Sequence, residues 1–384
     1  MNSEEKKIRI LISFGTRPEG IKLAPIIKVM EKQKDRFELY ICSTGQHKEM
    51  LEQVIDFFEL KPDFELNIMS ENQSLSYLTS MVIKGIEHVF LKIKPDIVLV
   101  QGDTTTAFLT AFIAYYWKIK IGHIEAGLRT YNKYNPFPEE INRQLISRIS
   151  DFNFVPTKKA EINLLSEGIE IAKIFFTGNT IVDAINWGMK KIKGKNENKD
   201  IKNLLKLTES YEKLILVTMH RRESFGIDIK NICNALKKIA EINSNVAIIY
   251  PVHLNPNVRE PVFSILESIK NIKLIDPLNY ELFLWLMNKS YFIITDSGGI
   301  QEEAPTLKKP VLVIRNYTER PESVELGISK LVGTSTHSII ENAQILLHNK
   351  KEYNKMITDE NPYGDGFAAE KIVKIIYGGF LGEV

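Results

Sequence analysis

The clearest structural signal in the chain is the segment Asp96-Ile97-Val98-Leu99-Val100-Gln101-Gly102-Asp103-Thr104-Thr105-Thr106. Residues 96–100 are apolar nearly throughout rather than alternating, as expected for a parallel strand covered on both faces. A glycine turn with polar side chains follows at once, and a helical pattern comes next. This order predicts a doubly wound sheet, in which ligands bind at the carboxyl ends of the strands.

The same kind of apolar run recurs along the chain in two series. The first series of predicted strands is 8–14, 38–43, 96–100, 119–124, 152–155 and 174–176. The second is 213–218, 246–250, 272–275, 291–295, 311–314 and 330–332. Because the intervening segments are long enough for crossover helices, the sequence predicts an α/β protein with two doubly wound, Rossmann-like sheets.

A length of 384 residues also favours two domains over one core. We predict an N-terminal Rossmann-like domain over 1–176 and a C-terminal one over 177–363. Residues 364–384 are predicted to form a helix that packs back on the N-terminal domain. The polar, Lys-rich region 188–212 is interpreted as a loop early in the second domain.

Composition indicates a cytoplasmic protein that acts on a soluble ligand. The net charge of +2 argues against a nucleic-acid partner. Two distant cysteines exclude a disulfide framework within the chain and fit a reducing compartment. The first residues lack the apolar core of a signal peptide, and no apolar run approaches the roughly 20 residues that span a bilayer.

Candidate acid–base groups follow two neighbouring strands. Asp103 and Glu125 are predicted at the same sheet edge, where paired carboxylates suit proton transfer. An N-cap of the next helix is the alternative for Asp103. Glu125 directly follows a buried strand and needs a partner, for which Arg129 is a candidate. Glu139 and Arg143 share one helix face, with a plain surface ion pair as the alternative.

The turn after the first strand combines a helix cap with positive charge. Thr16 and Glu19 have the spacing of a capping box. Arg17 and Lys22 add cations near the helix N-terminus, where backbone N–H groups favour an anion. A simple cap with surface cations is the alternative.

The second half of the chain presents matching signals. His220-Arg221-Arg222 follows a predicted strand, and Ser297-Gly298-Gly299 follows another. A Ser-Gly-Gly turn allows close approach to phosphates, although an ordinary glycine turn is the alternative. Glu303 is placed to accept hydrogen bonds from ribose hydroxyls, and Arg320 adds charge at the same edge.

We predict no cofactor and no metal. Residues 364–369 match the dinucleotide fingerprint as a string, but they follow a proline-containing turn rather than a strand. The seven histidines lack paired metal-ligand spacing.

Several motifs occur in order along the whole chain, and together they are far more specific than any one of them. They are Phe14-Gly15-Thr16-Arg17-Pro18-Glu19, Gly102-Asp103-Thr104-Thr105-Thr106, His123-Ile124-Glu125-Ala126-Gly127-Leu128-Arg129, Pro136-Phe137-Pro138-Glu139-Glu140, His220-Arg221-Arg222-Glu223, Asp296-Ser297-Gly298-Gly299-Ile300-Gln301-Glu302-Glu303, Thr318-Glu319-Arg320-Pro321-Glu322 and Asn361-Pro362-Tyr363-Gly364-Asp365-Gly366. In these motifs the chain resembles the non-hydrolysing UDP-N-acetylglucosamine 2-epimerases. That resemblance implies two Rossmann-like domains of the GT-B type with a deep interdomain cleft, and a homodimer.

The resemblance also implies a reaction. UDP-N-acetylglucosamine and UDP-N-acetylmannosamine interconvert as UDP leaves C1, C2 loses its proton to give a 2-acetamidoglucal, and UDP adds back. No cofactor is needed, and the product supplies surface polysaccharide synthesis.

Matching positions assign roles by resemblance. The predicted catalytic residues are Asp103, Glu125, Glu139 and His220. The predicted substrate-binding residues are Arg17, Lys22, Arg143, Leu278, Phe283, Ser297, Gly298, Gly299, Glu303 and Arg320. Gln46, Gln73 and His253 match a second UDP-N-acetylglucosamine site of bacterial relatives, where the ligand is an allosteric activator. The chain departs from the usual pattern at Gly20, where relatives usually carry Ala, and at Gln101, where they usually carry His. At Leu278 relatives often carry Gln, so only a backbone contact to uracil could remain.

Three other functions share parts of this pattern. A hydrolysing epimerase has the same fold and motifs but releases UDP and free N-acetylmannosamine. A GT-B glycosyltransferase needs an acceptor groove and has less use for Glu125 with Glu139. A sugar-nucleotide sensor does not need Asp103, Glu125, Glu139 and His220 together.

Overall fold

The computed structural model describes residues 7–45, 48–69, 74–194, 198–221 and 225–382. The chain forms two compact units, one of Met1–Trp187 with Tyr363–Val384 and one of Gly188–Pro362. The first boundary falls within a helix, Thr180–Ile192, whereas the sequence suggested a boundary after residue 176. The C-terminal helix belongs to the first unit.

The first unit contains a sheet of 7 parallel strands in the order β3-β2-β1-β4-β5-β6-β7. These strands are β1 Ile8–Phe14, β2 Phe37–Ser43, β3 Phe64–Glu65, β4 Ile97–Gln101, β5 Lys120–Ile124, β6 Phe152–Val155 and β7 Ile174–Phe176. Its helices are α1 Arg17–Met30, α2 Lys48–Phe58, α3 Leu75–Ile93, α4 Thr105–Tyr116, α5 Glu139–Ile149, α6 Lys158–Ser166, α7 Thr180–Ile192 and, at the end of the chain, α16 Ala368–Leu381.

The second unit contains a sheet of 6 parallel strands in the order β10-β9-β8-β11-β12-β13. These are β8 Lys213–Thr218, β9 Val246–Pro251, β10 Ile272–Ile275, β11 Phe292–Thr295, β12 Val311–Val313 and β13 Ser329–Leu331. Its helices are α8 Lys199–Thr208, α9 Ile227–Ile242, α10 Pro256–Leu266, α11 Tyr280–Lys289, α12 Gly298–Glu303, α13 Pro321–Glu325, α14 Thr336–His348 and α15 Lys350–Lys355. The predicted α/β class with two Rossmann-like sheets is confirmed.

Burial explains why these strands can be recognised from the sequence. Every side chain from Ile97 to Val100 in β4 is fully buried, because helices pack on both faces of the sheet. The strand that the sequence did not reveal is β3, a two-residue edge strand that pairs with β2. It is too short to form an apolar run and is only partly buried.

The strand order creates one topological switch point in each sheet. In the first unit the chain builds outward from β1 on one side and from β4 on the other, so the turns after β1 and β4 lie side by side. In the second unit β8 and β11 have the same relation. Open parallel sheets bind ligands beyond the carboxyl ends of the strands at such points.

The end of the chain is anchored to the first unit by α16. Asp183 in α7 accepts hydrogen bonds from the backbone N–H groups of Ala368 (3.3 Å) and Ala369 (2.9 Å), the first residues of α16. The ring of Tyr377 packs edge-on against Phe37, with 5.9 Å between centroids. The glycines of residues 364–366 thus precede a helix and follow α15, with no strand directly before them.

Within the described part of the chain, no helix is both long enough and apolar enough to cross a bilayer.

Candidate active site

Glu125 is held by donors from three different elements of the first unit. It directly follows β5, is 8% exposed and has a left-handed backbone with φ 64°. Its carboxylate accepts hydrogen bonds from the Lys22 ammonium of α1, from the Gln101 amide at the end of β4 and from the Asn179 amide, 2.9 Å away. A carboxylate that is held by three donors, on a residue with a strained backbone at a strand end, is typical of a functional group.

Arg129, the partner that the sequence offered for Glu125, makes a bidentate ion pair with Glu167. Its Nε and Nη2 lie 2.7 and 2.9 Å from the two carboxylate oxygens. The loop between Glu125 and Arg129 also packs tightly on α6, since a Cβ at Gly127 would lie 2.3 Å from the Ala160 carbonyl oxygen. These contacts fix the chain that leaves Glu125.

Asp103 reaches the same sheet edge, because the register pairs Gln101 of β4 with Ile124 of β5. The alternative interpretation, in which Asp103 is the N-cap of the next helix, is wrong. Thr104 is the N-cap of α4, and its hydroxyl accepts from the Ala107 N–H at 3.0 Å. The Asp103 carboxylate instead binds the guanidinium of Arg143, with 2.5 Å between Oδ2 and Nη2.

Arg143 is a buried residue, so the surface ion-pair interpretation of Glu139 and Arg143 is wrong. Arg143 is 8% exposed and lies 3.5 Å from Glu140 Oε2 in addition to its contact with Asp103. Burial, and the negative charge of Asp103, raise the pKa of Glu139, while Arg143 opposes the shift. Glu139 is thus suited to carry a proton near Asp103.

His123 is a site residue that the local pattern alone did not single out. It is fully buried in β5, with Nε2 2.8 Å from the Gly102 carbonyl and Nδ1 3.1 Å from the Ser147 hydroxyl. Burial lowers the pKa of His123 to about 3, so the ring stays neutral. A neutral ring that donates through Nε2 and accepts at Nδ1 fixes the turn before Asp103. The signal available in the sequence was a histidine inside an apolar strand.

The capping box at the start of α1 is confirmed. The Glu19 carboxylate accepts from the backbone N–H groups of Gly15 (3.0 Å) and Thr16 (2.8 Å). Burial raises the pKa of Glu19 to about 7, although these hydrogen bonds lower it. The cations that follow are not plain surface charges, because Arg17 is only partly exposed and Lys22 is 8% exposed against Glu125.

In the second unit, Asp296 joins the two turns at the switch point. It follows β11 and is fully buried, and its Oδ2 accepts from the backbone N–H groups of His220 (2.9 Å) and Arg221 (2.8 Å). Its Oδ1 lies 3.4 Å from His220 Nδ1. Burial lowers the pKa of His220, and the charge of Asp296 opposes that shift. Sequence reasoning noted Asp296 only as part of a motif, although a carboxylate directly after a buried strand was the available signal.

Guanidinium groups gather over the glycine turn after β11. A Cβ added at Gly298 would lie 3.5 Å from Arg320 Cζ and 3.6 Å from Arg221 Nη2. Arg320 Nε donates to Glu302 at 2.6 Å. Burial alone would raise the pKa of Glu319, but Arg315, Arg320 and Arg221 lower it to about 2. Two arginines beside a glycine turn are an arrangement suited to an anion.

The other predicted binding residues of the second unit lie beside this turn, on α11, or in the segments that follow β9 and β10. Ser297 and Glu303 flank the glycines and are partly exposed, and Gly299 is exposed. Leu278 lies in the loop after β10, and Phe283 lies on α11; both are partly exposed. His253 is exposed after β9, with its ring 6.1 Å from that of His220 and nearly parallel to it. Gln46 and Gln73 lie outside the described residues.

Among the described residues, no group of three or more His, Cys, Asp or Glu side chains is arranged to hold a metal ion.

Fold and sites together define a class of protein. It is an α/β enzyme of two Rossmann-like units, with buried carboxylates at one switch point and arginines beside a glycine turn at the other. A family model for UDP-N-acetylglucosamine 2-epimerase matches residues 30–377. The chain belongs to the UDP-N-acetylglucosamine 2-epimerase family.

Individual relatives match this chain over nearly its full length. A UDP-N-acetylglucosamine 2-epimerase of Campylobacter jejuni is 54% identical over 97% of this chain and 98% of its own. A crystal structure of UDP-GlcNAc 2-epimerase from Neisseria meningitidis bound to UDP-GlcNAc has a TM-score of 0.90 at 47% identity, covering 96% and 99% of the two chains. A structure of the S. aureus protein MnaA with UDP has a TM-score of 0.88 at 46% identity, covering 98% of each.

Proposed function

We propose that this protein interconverts UDP-N-acetylglucosamine and UDP-N-acetylmannosamine without hydrolysing them. UDP leaves C1 as C2 loses its proton, and UDP adds back to the 2-acetamidoglucal after a proton returns to the other face. The observation that carries the proposal is the Glu125 carboxylate, which Lys22, Gln101 and Asn179 hold at the same edge as Asp103. The named relatives support the substrate.

The chemistry explains why carboxylates are needed beside a nucleotide site. The proton on C2, next to the acetamide, is not acidic by itself. Departure of UDP builds positive charge at C1, and this charge makes the C2 proton acidic. Inversion at C2 then needs a base on one face and an acid on the other. Glu125, Asp103 and Glu139 are the groups we propose for these roles, and the raised pKa of Glu139 suits the proton-donating one.

The second unit supplies the binding of UDP in this proposal. Negative charge grows on the diphosphate as the C1–O bond breaks, and preorganised cations stabilise such charge in the transition state. Arg320 and Arg221 beside Gly298 fit that task, and Asp296 positions His220 next to them. We propose that Leu278 and Phe283 contact uracil, that Glu303 binds the ribose and that Ser297 and Gly299 contact the diphosphate.

On the sugar side we propose that Arg17, Lys22 and Arg143 complete the site. Lys22 and Arg143 bind the carboxylates Glu125 and Asp103, so they orient these groups. We also propose that the protein is a homodimer and that His253 takes part in binding an activating second nucleotide sugar.

Product analysis tests the proposed function and separates it from hydrolysis. The purified protein is incubated with UDP-N-acetylglucosamine alone, and nucleotides and free sugars are followed by ion-exchange chromatography and proton NMR. We expect UDP-N-acetylmannosamine to accumulate to a constant ratio with the total UDP-sugar conserved. Free N-acetylmannosamine and UDP forming in equal amounts would contradict the non-hydrolysing proposal, and an unchanged substrate would contradict the epimerase.

A further inference from the structure

One buried carboxylate connects the two turns at the switch point of the first unit. Glu19 is 1% exposed. Its Oε2 accepts hydrogen bonds from the backbone N–H groups of Gly15 and Thr16 and from the Thr16 hydroxyl, which lies 2.8 Å away. Its Oε1 accepts the hydroxyl of Thr104 at 2.7 Å. The two oxygens therefore bind turns that follow different strands, β1 and β4.

The hydroxyl of Thr104 is used in both directions. It accepts a hydrogen bond from the Ala107 N–H as the N-cap of α4 and donates a hydrogen bond to the Glu19 carboxylate. Thr16 is the N-cap of α1. The cap residues of α1 and α4 thus meet at one carboxylate.

The residues next to these caps are those of the candidate site. Asp103 directly precedes Thr104, and Arg17 directly follows Thr16. We propose that Glu19 is a positioning residue that sets Asp103, through Thr104, against the turn that carries Arg17. The inference rests on the proposed epimerase function. Since small displacements of a reacting group lower turnover steeply, loosening this bridge should reduce catalysis without unfolding the protein.

A double-mutant cycle tests the bridge. The variants are Thr104→Val, Glu19→Gln and the two combined. Valine removes the hydroxyl that donates to Glu19. Glutamine has a single carbonyl oxygen, and when that oxygen binds the Gly15 and Thr16 N–H groups the Thr104 hydroxyl loses its acceptor. Each single variant should lower kcat about tenfold, and the combined variant should lose about as much as one single variant, because both changes break the same link.

Two further variants separate positioning from helix capping. Thr104→Ser keeps the hydroxyl and should retain kcat. Asn198→Ala removes the side-chain cap of α8 in the second unit, where Asn198 Oδ1 accepts from the Asp200 N–H at 2.9 Å. It should change kcat by no more than about twofold, since capping alone affects stability. The Kd for UDP should be unchanged in Thr104→Val, because we propose that the second unit binds UDP.

The outcomes distinguish failure of this inference from failure of the proposed function. If the losses in kcat multiply in the combined variant, or if Thr104→Val is no worse than Asn198→Ala, Glu19 does not position Asp103. The same cycle is followed by melting temperature, where shifts that simply add would overturn the bridge even in a protein without turnover. A wild type that binds UDP but does not epimerise would overturn the proposed function alone.

Discussion

At the scale of single residues, the site depends on carboxylates that are oriented by partners distant in sequence. Glu125 is bound by Lys22 and Asn179, and Asp103 by Arg143. A carboxylate after a buried strand was predictable from the sequence, because strands of this kind are apolar and end at the ligand-binding edge. The identity of the partners was not, since it depends on which helices the strand order brings beside each turn.

Replacing Glu125 by Gln tests its role most simply. The amide keeps the shape of the side chain but cannot accept a proton from C2, so kcat should fall by about a hundredfold or more. The Kd for UDP, measured by calorimetry, should stay within about twofold, because Glu125 lies in the unit that we propose binds the sugar.

The matched control for this variant is Glu170→Gln, which changes an exposed carboxylate of the same unit. Its turnover should equal that of the wild type. Wild-type turnover in Glu125→Gln would exclude Glu125 as a proton-transfer group.

At the scale of elements, neighbouring parts of each unit are joined by single buried carboxylates. Glu19 links the turns after β1 and β4, and Asp296 links the turns after β8 and β11. Asp183 does the same for α7 and the start of α16. Asp183 thereby helps to hold the helix at the end of the chain in the first unit.

The link at Asp183 gives stability a pH dependence. Burial raises the pKa of Asp183 from 3.8 to about 6, so the folded state holds a proton that the unfolded chain has released over this range. Raising the pH through this window therefore favours the unfolded chain. The free energy of unfolding of the wild type, relative to that of Asp183→Asn, should fall by on the order of 1–3 kcal/mol between these pH values.

Denaturant titrations of both proteins at several pH values measure this difference. Comparing the two proteins cancels the contributions of the other titrating groups. A difference that stays flat or rises with pH would show that Asp183 does not bind a proton more tightly in the folded state.

At the scale of the whole molecule, the sequence specified the fold more completely than the site. Nearly all strands were visible as buried apolar runs, and β3 was missed because two partly buried edge residues leave no pattern. The strand order was not visible, and it is the order that places the turns after β1 and β4, and after β8 and β11, side by side. The bridges at Glu19 and Asp296 follow from that order, so local patterns could not reveal them.

The two switch points of the chain carry different kinds of side chain. The first unit presents carboxylates held by Lys22 and Arg143, and the second presents Arg221 and Arg320 beside a glycine turn. Elimination and re-addition need both kinds of group, one for the proton at C2 and the other for the departing diphosphate. In the proposed mechanism the inversion requires both sets of groups.

Hydrogen exchange at C2 tests this central claim most directly. The protein is incubated with UDP-N-acetylglucosamine in heavy water without any added cofactor, and the C2 position is followed by NMR and mass spectrometry. We predict that UDP-N-acetylmannosamine forms with deuterium at C2 and that the recovered UDP-N-acetylglucosamine gains it as the reaction reverses. Formation of the manno epimer with its original hydrogen retained at C2, or recovery of the substrate without epimer or label, would contradict the mechanism.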